Sequence, residues 1–413
     1  MSPSLESAAE TVAAQIRRQE FVEVLAHHDA DGIAAAAILC HAMLRANVRF
    51  RLRVRQDITT PDLTGESAYL LCDMGAGMSD LPGTTMVVDH HLPSFSGEFH
   101  ANPRLAGING DRELSAAGTA YFVAQQLGDN RDLAGLVIPG IIGDGQAIAG
   151  KNLEIFNEAV ANQIVIPDRG LLLPGRDMVE RWYTATHPYL EAISGAEQRI
   201  ADMIDTSRDQ TKADEPLRLD LLVSRAVLDA APKAAPAALG SIWGDTYHLQ
   251  REVIEDAHAL TAVIDACGKT GNGDIGATLC LRSSHDIDRA WEIARQHRIR
   301  IIEAVRRAAP FGEIAGVYEV KDASVASDVA DILCRDVPAS CPVLVFAKTS
   351  GGIQCRISAR NPAGCTVELG PNIRRIAESC GGSGGGHLLR AGATIPCDRI
   401  TEFAKGWQEA TAV

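Results

Sequence analysis

At 413 residues the chain is too long for one ordinary hydrophobic core and implies two or three domains. Hydrophobic residues make up 46% and charged residues 22%, the balance of a soluble globular protein, and no apolar run is long enough to span a bilayer. A net charge of −14 argues against a protein that coats nucleic acid, but not against an enzyme with a local basic groove or with bound cations that cancel part of the charge.

The first twenty residues lack the basic-then-apolar order of a signal peptide and read as an amphipathic helix with Leu5, Ala8, Val12 and Ile16 on one side. The apolar run 21–26 is a strand. It leads at once into His27-His28-Asp29-Ala30-Asp31-Gly32 and then an alanine-rich helix. Residues 48–54 alternate strictly and form a second strand; 68–72 and 85–88 are two more, each ending in an acidic residue, Asp73 and Asp89. Helical patterns follow at 115–127 and 131–142, the latter running into Gly143-Asp144-Gly145. Strands alternating with helices predict an α/β fold with a mostly parallel sheet flanked by helices. The segment 145–260 reads as a mainly helical insert, and 285–309 as one long connector helix ended by Pro310-Phe311-Gly312. Strand-like runs at 314–320, 342–347 and 353–359 and a glycine-rich stretch at 381–386 then describe a smaller α/β domain. The expected division is therefore 1–284, 285–309 and 310–413.

Ten cysteines are scattered without a CxxC pair, which argues against a zinc ribbon or thioredoxin motif. Most sit in apolar segments, such as Cys72 and Cys280, as reduced, buried thiols of a cytoplasmic protein do.

The chemistry lies in four strand-end clusters. In open α/β sheets the ligand crevice lies beyond the carboxyl ends of the strands. His27, Asp29, Asp31, Asp73, Asp89-His90-His91 and Asp144 should therefore gather on one edge. Any one of these aspartates taken singly reads as a helix cap or a solvated turn residue. Four or five carboxylates in one crevice repel unless cations neutralise them. Two divalent ions, Mn²⁺ or Mg²⁺, suit carboxylate and imidazole ligands, clamp a phosphoryl group and activate water.

The motifs HHDADG, CDMG, VVDHH and GDG resemble those of the DHH phosphoesterase superfamily. Asp265-Ala266-Cys267-Gly268-Lys269-Thr270 resembles the NAxGR motif of the RecJ branch, with Lys269 in place of Arg and Asp265 in place of Asn. The long helix with ISAR and GGSGGGH resembles a DHHA1 substrate-binding domain, and the whole is similar to archaeal RecJ-like, GINS-associated nucleases. The resemblance implies one metal held by His27, Asp29 and Asp73 and another by Asp31, Asp73, His90 and Asp144. It also implies that His91 faces the scissile phosphate and Asp89 orients a neighbouring imidazole. Lys269, Arg360, Gly384, Gly385, Gly386 and His387 become candidate substrate contacts. His28, at the variable motif position, reads as a satisfied polar residue.

Arg49, Arg51, Arg53 and Arg55 share one strand face, as a phosphate-facing wall or a polar sheet face. The arginines of 285–309 fit a solvated helix face about as well as a nucleic-acid track. With aromatics at 5%, binding would rest on phosphate contacts rather than base stacking.

The expected activity is a metal-dependent exonuclease releasing mononucleotides from single-stranded DNA, 5′→3′, in replication or repair. Two alternatives stand beside it: a phosphoesterase of short oligoribonucleotides or small nucleotides, and a replication scaffold. Expected partners are single-stranded DNA or RNA, GINS and the replicative helicase, and no membrane.

Overall fold

The computed structural model describes residues 4–63, 67–208, 217–349, 351–386 and 388–411. The chain opens with α1 (Leu5–Arg17), β1 (Phe21–His27), α2 (Ala30–Arg45), β2 (Arg49–Arg55), β3 (Ala68–Cys72), β4 (Met86–Val88) and β5 (His100–Ala101). It continues through α3 (Ala116–Leu127), α4 (Val137–Gly143), α5 (Gly150–Ala161) and β6 (Val165–Leu171). Next come α6 (Met178–Tyr183), α7 (Glu197–Thr206), α8 (Leu219–Ala230), α9 (Pro236–Gly240) and β7 (Trp243–Leu249), then α10 (Ala257–Lys269), α11 (Gly273–Cys280) and α12 (Ile287–Arg307). The last part holds β8 (Ala309–Pro310), β9 (Val317–Glu319), α13 (Ala326–Arg335), β10 (Val343–Lys348), β11 (Gln354–Arg360), α14 (Leu369–Ser379), β12 (Ser383–Gly386), β13 (Arg390–Pro396) and α15 (Ile400–Thr411). Among the described residues no helix is long and apolar enough to cross a membrane.

Two compact units emerge: Met1–Gly170 with Asp245–Ala294, and Leu171–Gly244 with Arg295–Val413. The segment expected as one helical insert is thus shared between them, and α12 runs from the first into the second.

The first unit is built on a five-stranded, all-parallel sheet in the order β2-β1-β3-β4-β5. Alternation sorts its side chains between two faces. Val22, Val24 and Ala26 join the large core with α2, whereas Leu25, Leu71 and Val87 form a smaller cluster on the opposite face. The alanine run lets α2 lie close to the sheet and its neighbours; Ala30 through Cys40 are all fully buried, so this helix is apolar nearly all round. β2 is an edge strand. Its register sets Arg51 beside Glu23 on β1, and the carboxylate of Glu23, buried in the sheet, bonds both Arg51 and Arg53. Those two arginines therefore belong, at least in part, to a polar sheet face.

The second unit carries a mixed six-stranded sheet in the order β12-β13-β11-β10-β9-β8. Val343, Val345 and Ala347 pack with α12 and α13 on one face, and Leu344, Phe346 and Ile357 with α14 and α15 on the other. The helices of 171–244 close around their own core of Trp182, Leu190, Ile200, Met203 and Leu222. On α12, Arg298 is buried and donates to the Pro174 carbonyl at 2.6 Å, and Arg306 donates to that of Ser194 at 2.6 Å. These arginines hold the helix down instead of forming a free basic track.

Three expectations about elements change. The helical pattern at 131–142 is a 3-10 turn (Arg131–Leu136) followed by α4. The mainly helical segment 145–260 also contains the β6–β7 ribbon, hidden in the sequence because Pro167 and Gly170 break its alternation. The glycine-rich stretch is not an open loop. Ser383–Gly386 is the edge strand β12, paired to β13, and α14 lies so close that a Cβ on Gly370 would sit 2.2 Å from the Gly386 oxygen.

Candidate metal centre

β1, β3 and β4 run parallel and end at the same edge, so the residues just past them meet. His27 closes β1, and Asp29 caps α2 by accepting from the Gly32 N–H at 3.0 Å. Asp73 follows β3 with φ 60°, the left-handed region that Asp and Asn tolerate better than other side-chain-bearing residues. Asp89, His90 and His91 follow β4. Asp144 ends α4, and Asp31, in the first turn of α2, lies fully buried against the start of α3.

The donors form a continuous cluster. His27 Nδ1 is 2.9 Å from Asp29 Oδ2 and 3.2 Å from Asp73 Oδ2. His90 Nε2 is 3.3 Å from Asp73 Oδ1, 3.2 Å from Asp144 Oδ2 and 3.9 Å from Asp31 Oδ2. Three triads have ligand atoms within 4.8 Å of one another: His27/Asp29/Asp73, Asp31/His90/Asp144 and Asp73/His90/His91. Asp73 Oδ1 is buried and hydrogen-bonded to nothing among the described residues, although it faces both His90 and His91. An orphaned carboxylate oxygen in a nest of oxygen and imidazole donors fits a divalent cation.

Electrostatics point the same way. Burial, and next the charge of Asp73, push the Asp31 carboxyl up to about 7. Burial and the charge of Asp31 also hold Asp144 well above the carboxylate range. Burial alone would lower His27, but Asp29 and Asp73 overcome it and raise the imidazole to about 11. His90 is raised by Asp73, Asp144 and Asp31 against the same burial. Without metal, protons must do the neutralising.

The outer residues are fixed by the fold. Asp31 accepts from the Ala116 and Ala117 N–H groups at 2.7 and 2.9 Å, at the N-terminus of α3. Asp89 accepts from Ala76 N, His90 N and His91 Nδ1, so it orients His91 while the rest of that imidazole, 47% exposed, faces outward. Asn102 donates to the His91 carbonyl and Arg104 to that of His90. Sequence reasoning missed these two, because a loop from β5 brings them in and no motif marks it.

Glycines make the cluster possible. A Cβ on Gly140 would lie 2.2 Å from Asp31 Oδ1, and one on Gly268, inside the DACGKT motif, 1.6 Å from the His28 oxygen. Gly140→Ala should therefore push Asp31 out of place. The expected result is a loss of about 1–3 kcal/mol, read by urea unfolding, together with weakened Mn²⁺ uptake.

Beside the cluster lies a cavity of about 510 Å³ lined by His28, Arg53, Arg55, Gln56, Lys269 and Asp274, among others. Lys269 is paired with Asp265 at 2.9 Å, one helical turn back. His28 is not the satisfied residue expected: its Nδ1 is buried without a hydrogen-bond partner among the described residues, and burial lowers its basicity.

The candidates in the second unit differ. Arg360 is 8% exposed, bonded to Asp331 at 2.7 Å and to Ser327 Oγ at 2.7 Å. Removing it leaves the half-buried Asp331 carboxylate with only Arg390, at 3.6 Å, as an ion-pair partner among the described residues, so Arg360→Ala should cost about 1–3 kcal/mol in chemical denaturation. Gly384, Gly385 and Gly386 line the sheet edge on β12, and His387 lies outside the described residues.

Residues 314–411 match the family model of the DHHA1 domain. The fold matches RecJ from Thermus thermophilus in complex with Mn²⁺ at a TM-score of 0.58 and 17% identity, over 99% of this chain. The chain thus carries a DHHA1 domain and shares the fold of RecJ. The chain spans only 54% of that RecJ. Cdc45 from Entamoeba histolytica matches the fold at a TM-score of 0.66 and 10% identity, over 100% of both chains. An uncharacterised protein of Methanocaldococcus jannaschii is 26% identical, over 93% of this chain and 92% of its own.

Proposed function

We propose that this protein is a divalent-metal-dependent phosphodiesterase, and specifically an exonuclease that releases mononucleotides from single-stranded DNA in the 5′→3′ direction, in replication or repair. The observation that carries the reading is the run of three donor triads, two of them sharing Asp73, whose Oδ1 is buried without a hydrogen-bond partner among the described residues. His27, Asp29 and Asp73 would hold one cation; Asp31, Asp73, His90 and Asp144 the other. Bound there, the cations would polarise the phosphoryl group and lower the pKa of a water near it. The Thermus thermophilus RecJ has been solved with Mn²⁺ and with Mg²⁺, which makes these two ions the first to test.

The chain's own groups supply the rest. Burial lowers the basicity of His91, but its bond to Asp89 outweighs this and raises it. The cationic ring, held at Nδ1, can then donate from Nε2 to a non-bridging phosphate oxygen and stabilise the charge that builds there. Lys269 and Arg55 would meet backbone phosphates from the adjoining cavity. Attraction of that kind weakens as salt rises.

The test is to incubate end-labelled single-stranded DNA and RNA, and separately dinucleotides, with Mn²⁺. Release of labelled mononucleotide from the 5′ end of DNA is expected. Turnover of dinucleotides alone would move the reading to a small-nucleotide phosphoesterase, and no turnover of any of the three would end it. GINS and the replicative helicase are proposed partners; a pull-down that recovers neither removes them.

A further inference from the structure

Gly145 and Gln146 extend past Asp144, and the Gln146 side chain turns back toward the cluster. Its Nε2 donates to the Gly110 carbonyl at 2.9 Å and lies 3.3 Å from His90 Nδ1 and 3.5 Å from Asp144 Oδ2. Its Oε1 accepts from Asn152 Nδ2 at 2.8 Å. Asn152, on α5, is fully buried, and its Oδ1 faces the Ser115 N–H at 3.4 Å.

The polarity of this chain is not free. A backbone N–H only donates, so Asn152 presents oxygen to Ser115 and its amide nitrogen to Gln146. Gln146 must then turn its oxygen to Asn152 and its nitrogen to Gly110. The Gly110 oxygen, 2.5 Å from His90 Nδ1, is an acceptor, so Nδ1 carries the proton and Nε2 is the nitrogen left facing Asp31, Asp73 and Asp144. Gly110 itself is held tight: a Cβ there would meet the His90 oxygen at 2.1 Å. Ser115 also caps α3, whose first N–H groups hold Asp31, so one turn orders both sides of the second donor set.

We infer that Gln146, oriented by Asn152, is a positioning residue: it holds the Gly110 carbonyl that accepts from His90 Nδ1, and so the His90 tautomer, and steadies the Asp144 carboxylate for cation binding. This rests on the proposed metal reading. It concerns only the Asp31/His90/Asp144 side; the His27/Asp29 side shares none of these bonds. Partners of this outer kind change metal affinity by about 10–100-fold.

The experiment is a Mn²⁺ titration of the full chain, followed by electron paramagnetic resonance of the free ion, for wild type and Gln146→Met. One class of bound Mn²⁺ should weaken by about 10–100-fold while the other keeps its affinity. In the Mg²⁺-loaded protein with ¹⁵N-labelled histidine, wild type should show His90 protonated at Nδ1, and Gln146→Met a mixture of tautomers. Should Gln146→Met not fold, Asn152→Asp carries the same expectation, since it keeps the shape but turns the donor into an acceptor. A wild type that takes up no Mn²⁺ removes the metal reading and this inference together. A wild type that binds, with a variant that matches it or weakens both classes equally, overturns the inference alone.

Discussion

Asp73→Asn should lower Mn²⁺-dependent hydrolysis by about 10³-fold or more, because Asp73 belongs to two of the three donor triads and residues that act as a unit fail together. Asparagine is the right probe. It keeps the shape and tolerates the φ of 60° at this position, where alanine would add backbone strain. The same change removes a negative charge that raises Asp31 and Asp144, but also one that helps to hold the His27 and His90 imidazoles cationic, so the two effects on the metal-free protein oppose each other. The metal-free variant should therefore melt close to wild type, while Mn²⁺ should raise the melting temperature of wild type and not that of the variant. A variant that loses activity and also melts far lower without metal would instead mark Asp73 as a structural residue.

Mn²⁺ affinity should rise steeply with pH. A raised folded-state pKa means that the stability from that group is present below its unfolded value and lost as pH rises through the folded one. For Asp31 that window runs from 3.8 to about 7, and for His27 from 6.5 to about 11. Asp29 and Asp89 are lowered, by His27 and His91 respectively against burial, and contribute in the opposite sense, below 3.8. Between pH 4 and 8 the metal-free protein thus loses the stability contributed by the Asp31 proton. Cations replace such protons, so each displaced proton makes affinity about tenfold stronger per pH unit. Below pH 7 Asp31 and His27 both give up protons, which alone implies about a hundredfold per unit; above it Asp31 no longer contributes and the dependence becomes shallower, carried by His27 and by the other raised groups, His90 and Asp144. Melting curves with graded Mn²⁺ at pH 5, 6, 7 and 8 measure this. A flat pH dependence would show that these groups do not hold the ion.

The parallel sheet and its donor edge were legible because each motif is contiguous with a recognisable strand. FVEVLA leads straight into HHDADG, and TMVV into DHH, so their geometry follows once the strands are parallel. What was not legible depends on contacts far apart in sequence. Nothing near Arg104 or Asn102 announces that they bond the His90 and His91 carbonyls, because β5 is only two residues long. The alternation in QCRISAR identified a strand, but not that Arg360 points inward to Asp331 while Arg356 lies exposed. In β12 the glycines serve close approach, which depends on a neighbour, α14, that sequence alone does not place.

The build of α2 bears on how such a chain drifts over generations. The helix carries Asp29 and Asp31 at its leading end, and its body is a run of small side chains enclosed on every side. A methyl group added at Ala35 or Ala36 has no solvent to escape into, so the helix must slide or tilt to admit it, and its leading end moves with it. Residues with no chemistry of their own thus set the tolerance on the donors. Neutral variation will be scarcer along this helix than its plain composition implies, and lineages that lose the metal should first relax here.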